Sequence, residues 1–157
     1  MSVLPANPVI SIRPRHVLLN FALLMALLAV LTACNPVQRI KDRQQFDDLN
    51  AATDTFRKLI RWGYYDQAAK YVRARDGSAP APDLAEAARF KVTHYTVTNT
   101  LVADDKQDAE VIATIEYYEL ESGIAKTIRS QQIWWFEPAE KRWYLSSGLP
   151  DFVGGFR

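Results

Sequence analysis

Cysteine is nearly missing from this chain: Cys34 is the only one in 157 residues. An internal disulfide is therefore excluded, and so is any metal centre built on a cysteine cluster. Histidine is scarce as well, with His16 and His94 alone, too few for a His-rich metal site. Neither sign of charge is in excess, since 19 Lys+Arg stand against 18 Asp+Glu. No basic surplus drives the chain toward nucleic acid, and there is no acidic tail. Also lacking are internal repeats, low-complexity tracts, a Gly-rich phosphate loop and a Ser or Cys nucleophile motif. What is present, 48% hydrophobic and 24% charged residues, suits one ordinary globular domain.

The one long apolar run lies near the N-terminus. Arg13, Arg15 and His16 precede Val17 to Leu31, and the small residues Thr32 and Ala33 close the run. From Val17 to Ala33 is 17 residues, interrupted by Asn20. A bilayer span wants roughly 20 apolar residues, so a cationic n-region followed by an h-region reads as a signal peptide. The stretch Leu31-Thr32-Ala33-Cys34 then resembles the bacterial lipobox, Leu-[Ala/Ser/Thr]-[Gly/Ala]-Cys, at all four positions. That resemblance implies cleavage between Ala33 and Cys34, a diacylglycerol thioether on the Cys34 sulfur, and a fatty acid such as palmitate on the new amine. Two or three acyl chains, at ~0.8 kcal/mol per buried CH₂, anchor stably where one does not. Asn35, in place of the Asp that retains such proteins in the inner membrane of enteric bacteria, implies the periplasmic side of the outer membrane.

Three segments follow: a signal peptide over 1–33, a lipidated polar tether over 34–41, and a single domain over 42–157. The processed chain holds 124 residues with 17 basic and 18 acidic side chains. From Asp42 to Trp62, Phe46, Leu49, Ala52, Phe56, Leu59 and Ile60 recur at spacings of three and four, one buried helix face. Gly63 reads as its stop. A second short helix follows over Tyr64–Val72, with Tyr64, Ala68, Tyr71 and Val72 on one side, then a loop over 76–82 and a helical turn over Asp83–Ala88. Past Phe90 the period falls to two. Strands are expected over Lys91–Leu101, Glu110–Leu120, Ile124–Phe136 and Arg142–Ser147, joined by short turns as an antiparallel meander. Helices first and strands afterwards is the α+β arrangement.

That order, with Arg61-Trp62-Gly63-Tyr64-Tyr65-Asp66-Gln67-Ala68-Ala69 at the helix corner, resembles small bacterial lipoproteins of the nuclear-transport-factor-2-like, or cystatin-like, cone fold. The runs Ile133-Trp134-Trp135-Phe136 and Lys141-Arg142-Trp143-Tyr144-Leu145 resemble its paired final strands. The resemblance covers roughly 42–150 and implies N-terminal helices packed on a curved four-stranded antiparallel sheet.

Residues able to carry chemistry are few. Some cone-fold enzymes place a histidine and a carboxylate in their cavity, which points at His94. Strict alternation sets His94 on the face of Val92 and Thr96, and no orienting partner is identifiable in the sequence. Glu116 interrupts an apolar strand and is either a pocket carboxylate or a solvent-side residue opposite the face of Val111, Ala113, Ile115 and Tyr117. Asp104, Asp105 and Asp108 lack the other ligands of a calcium loop and read as a solvated turn. Neither a catalytic set nor a metal site nor a cofactor is expected.

The aromatics remain. Neighbours in a strand point to opposite faces, so one of Trp134 and Trp135 is expected to be buried and the other open. Trp134, Trp135, Trp143 and Tyr144 form either a binding surface or a cross-strand cluster that stabilises the sheet. Together these readings describe a non-catalytic envelope lipoprotein whose periplasm-facing domain binds a protein partner or small ligand. The alternatives are a structural lipoprotein of a secretion or pilus assembly, and a cone-fold hydrolase or isomerase using His94 or Glu116.

Overall fold

A computed structural model describes residues 36–78 and 81–154. The chain divides into a unit ending at Ile40 and a unit from Lys41 onward. Of the first, the described part is the opening of helix α1 (Pro36–Trp62).

This is an α+β domain. After α1 come a single turn of helix, α2 (Tyr65–Ala68), a 3₁₀ turn (Ala69–Tyr71) and another short helix, α3 (Leu84–Ala87). Four strands follow, β1 (Phe90–Val102), β2 (Asp108–Glu119), β3 (Ala125–Glu137) and β4 (Arg142–Leu145). They pair in the order β1-β2-β3-β4, every pairing antiparallel, as the meander requires.

The first helix starts at Pro36, inside the stretch read as a tether. Proline suits a first helical position, where the missing N–H would have had no partner. Ile40, Lys41 and Arg43 near the start of this helix are exposed. Further along, Leu49, Phe56 and Ile60 are buried, with Ala52 and Leu59 partly buried against the core, whereas Phe46, expected on the same stripe, is exposed. Gly63 ends the helix with φ +78°, Tyr64 N–H donating to Leu59 O (2.9 Å) and Gly63 N–H to Ile60 O (3.1 Å). That pair of bonds is a Schellman closure, which needs the left-handed conformation glycine adopts without strain. In the next turn Tyr65, not Tyr64, goes inward, and its hydroxyl donates to Phe90 O at 3.1 Å.

The core lies between α1 and the inner face of the sheet. Val111, Ala113, Ile115 and Tyr117 all face it from β2, as alternation predicts. Trp134 sits at the centre, edge-on to Phe56 (5.5 Å between centroids, 88°) and to Tyr71 (6.0 Å). The last described segment closes the other end. Phe152 packs on Tyr117 (4.9 Å) and Phe90 (5.5 Å), and its carbonyl accepts from the Tyr117 hydroxyl at 2.8 Å.

Candidate functional site

Cys34 and Ala33, the residues of the lipidation and cleavage reading, lie outside the described residues. Among the described residues no helix is long and apolar enough to cross a membrane.

The aromatic set is brought together at the β3–β4 corner, but not as an open face. Trp134 is 0% exposed, Trp135 5%, Trp143 2% and Tyr144 5%. The expectation that one of the two adjacent tryptophans faces solvent is overturned, and so is a ready-made binding surface of Trp134, Trp135, Trp143 and Tyr144. Alternation itself holds. Trp134 points to the core, and Trp135 points outward against its cross-strand neighbour Tyr144, with ring centroids 5.5 Å apart. What sequence periodicity could not show is a second cover. Residues 72–75 run along the outer side of β4, with Val72 bridging Leu145 and Arg73 N–H donating to Leu145 O (3.0 Å). The Arg73 carbonyl accepts from the Trp135 indole at 2.7 Å. The Arg75 guanidinium lies 5.5 Å over the Trp135 ring, and those of Arg73 and Arg142 lie 4.9 and 5.5 Å over Tyr144.

Carboxylates complete this corner. Arg75 pairs with Asp108, and Arg73 with Glu140 at 2.7 Å. The Tyr144 hydroxyl donates to the other Glu140 oxygen. That bond first, and Arg73 second, hold the Glu140 carboxyl below the usual range, while the same contact raises the Tyr144 phenol. Each cation here already has an anion or an aromatic face. Trp143 points inward instead, its indole donating to Gln45 O (3.1 Å) on α1.

His94 and Glu116 do meet. His94 Nδ1 lies 3.4 Å from Glu116 Oε2, yet the side chains are 69% and 55% exposed, on the outer face. A register shift between Val92 and His94 places them there. The extra residue of that bulge moves His94 off the face of Val92 and lets Tyr95 go inward in its place. Glu116 borders a surface cleft of about 230 Å³, and His94 is not part of its lining. Asp105 caps the β1–β2 turn by accepting from Gln107 N–H (2.9 Å), and Asp108 is taken by Arg75. Among the described residues no group of three or more His, Cys, Asp or Glu could hold a metal ion.

A polar cluster on the inner face went unread in the sequence. Gln132 is buried, donating to the Tyr95 hydroxyl and accepting from the Trp134 indole at 3.2 Å. Burial pushes the Tyr95 phenol up to about 12. Beside it, a cleft of about 400 Å³ opens between α1 and β1, lined by Asn50, Asp54, Arg57, Tyr95 and Val97 among others. Arg57 is tied to Asp54 at 2.5 Å, and Lys58 reaches the same carboxylate at 2.7 Å. Those contacts, Lys58 first, keep the Asp54 carboxyl low. The available signal was Gln132 itself, an inward position between Ser130 and Trp134 held by an amide.

Comparison with protein-family models, with curated proteins and with solved structures finds no match.

Proposed function

We propose that this chain is a bacterial envelope lipoprotein, anchored by acyl chains on Cys34, whose domain binds a protein partner rather than turning over a substrate. One observation carries the reading. The only cysteine of the chain stands at the fourth position of Leu31-Thr32-Ala33-Cys34, directly after an apolar run that is short for a permanent bilayer span. The domain is read as the nuclear-transport-factor-2-like variant of α+β, on the support of its helices-then-meander order. Asn35 supports the outer membrane as its address. The exposure of His94 and Glu116, and the pairing of the corner arginines with their own carboxylates, support a binding over a catalytic role.

Metabolic labelling with an alkyne fatty acid tests this. The wild-type chain is expected to take up label and to begin at Cys34, while Cys34→Ser keeps its full N-terminus and stays dark. Equal labelling of the two, or an intact Met1 on the membrane-bound wild type, would remove the reading.

A further inference from the structure

The sheet has two free edges, and they differ. The β1 edge is broken by register shifts at Val92/His94 and Val97/Asn99. Such bulges twist an edge strand away from chance pairing. β3 keeps an unbroken register along β2 from Ala125 to Trp135, yet β4 covers only Trp134–Glu137 of it. The cover ends at Ile133, whose carbonyl accepts from Ser146 N–H (2.8 Å) and whose N–H donates to Ser147 Oγ (3.2 Å). Ile133 thus aims its backbone groups away from β2. By the period of two, Gln131, Arg129 and Thr127 aim theirs the same way. Past Gly148 (φ +83°) the chain departs toward Phe152, and among the described residues nothing pairs with those three.

The open stretch has a groove and a charge. A groove of about 200 Å³ runs beside it, lined by Ile128 and Ser130 on one side and by Leu149, Pro150 and Asp151 on the other, with the Asp151 carboxylate already accepting from Val153 and Gly154 N–H. Arg129 is exposed and has no ion pair among the described residues, while the charge of Lys126 acts on the Glu119 carboxylate. From Ala125 to Gln131 there is no carboxylate. Antiparallel pairing with a second copy about Arg129 would set two guanidiniums opposite each other, and like charges across strands repel. A strand of the opposite charge has no such conflict.

We propose that the β3 edge from Thr127 to Gln131 receives an extended segment of a partner protein by strand addition, with small apolar side chains entering the groove and an acidic one facing Arg129. Main-chain bonds supply the affinity in this mode, and alternate side chains supply the selectivity. The proposal rests on the partner-binding half of the function given above, not on the anchor.

The test uses the full chain in detergent micelles and two synthetic peptides, Ser-Val-Thr-Val-Glu-Val-Thr-Val-Ser and the same sequence with Lys for Glu. The Glu peptide is expected to bind about fivefold more tightly, the value of one cross-strand charge pair, and Arg129→Glu should invert the order. N-methylation of the peptide amides that face β3 should abolish binding, whereas methylation of the intervening amides should not. Arg129→Pro, which removes an outward N–H that an edge strand can spare, should abolish it too. Failure of the Glu peptide to bind, equal preference in wild type and Arg129→Glu, or indifference to which amides are methylated would overturn the proposal. So would a dimer in sedimentation that Arg129→Pro takes apart, because the edge would then belong to a second copy. A negative peptide result leaves the fatty-acid labelling intact, and a negative labelling result leaves this edge intact, so the two failures are distinguishable.

Discussion

Trp135→Ala tests the double cover of the β3–β4 corner. The ring is 5% exposed, and burying about 200 Å² of aromatic surface at ~25 cal/mol per Å² sets a ceiling of about 5 kcal/mol. Two facts lower it. Arg73 and Arg75 are half-exposed side chains able to settle onto Tyr144 once the indole is gone, and the lost bond to Arg73 O leaves a carbonyl that water can reach. The expected cost is therefore about 3 kcal/mol, at the low end for a buried tryptophan. Trp134→Ala has no such relief. It opens a hole between Phe56 and Tyr71 and strips Gln132 of a partner, so about 5 kcal/mol is expected. Urea unfolding followed by far-UV circular dichroism measures both, provided the slope with denaturant stays constant. A loss below about 1 kcal/mol for Trp135→Ala would mean that 72–75 does not cover the ring, and the outer face would be open after all.

Other outcomes follow from the same contacts. Burial raises the Tyr65 and Tyr95 phenols to about 12, and those of Tyr117 and Tyr144 are raised as well, so a folded chain should show late ionisation of four of its seven tyrosines in an alkaline absorbance titration. A raised folded-state pKa gives stability that is full below about pH 10 and is lost as pH climbs toward 12. Tyr95→Phe should flatten that decline, and an unchanged profile would refute the assignment. Gly63→Ala should cost about 1–2 kcal/mol in thermal unfolding. The added Cβ would meet only Tyr65 Cε2 at 3.9 Å, so the loss comes from φ +78° alone, and a neutral result would mean the Schellman closure is absent.

How much of this was legible in the sequence depends on how far away each cause sits. The β2 face of Val111, Ala113, Ile115 and Tyr117 was legible, because period two is a local property of an unbroken strand. The helix stop at Gly63 was legible for the same reason. The bulge at Thr93–His94 was not, since no glycine marks it, and it alone decides which face His94 takes. The cover over Trp135 was further out of reach. It comes from Arg73 and Arg75, some sixty residues earlier, in a stretch whose composition reads as the end of a helix and the start of a loop.

Those same facts explain why the aromatic cluster misled and the β3 edge did not announce itself. Sequence reading weighs side chains, so four aromatics in adjacent strands draw attention while Ala125 to Gln131 looks like a plain strand. Yet a buried indole bonded to a backbone carbonyl is already paired within the protein, whereas an exposed row of N–H and C=O groups has water as its partner and can exchange it for a strand. β4 is four residues long and β3 thirteen, and that mismatch leaves the row unpaired. The β1 edge carries two bulges; the open stretch of β3 carries none and presents Arg129. Positive charge deters copies of the same chain without deterring an acidic strand. It is a selective guard where a bulge is a general one, and selection among partners is what a binding edge requires.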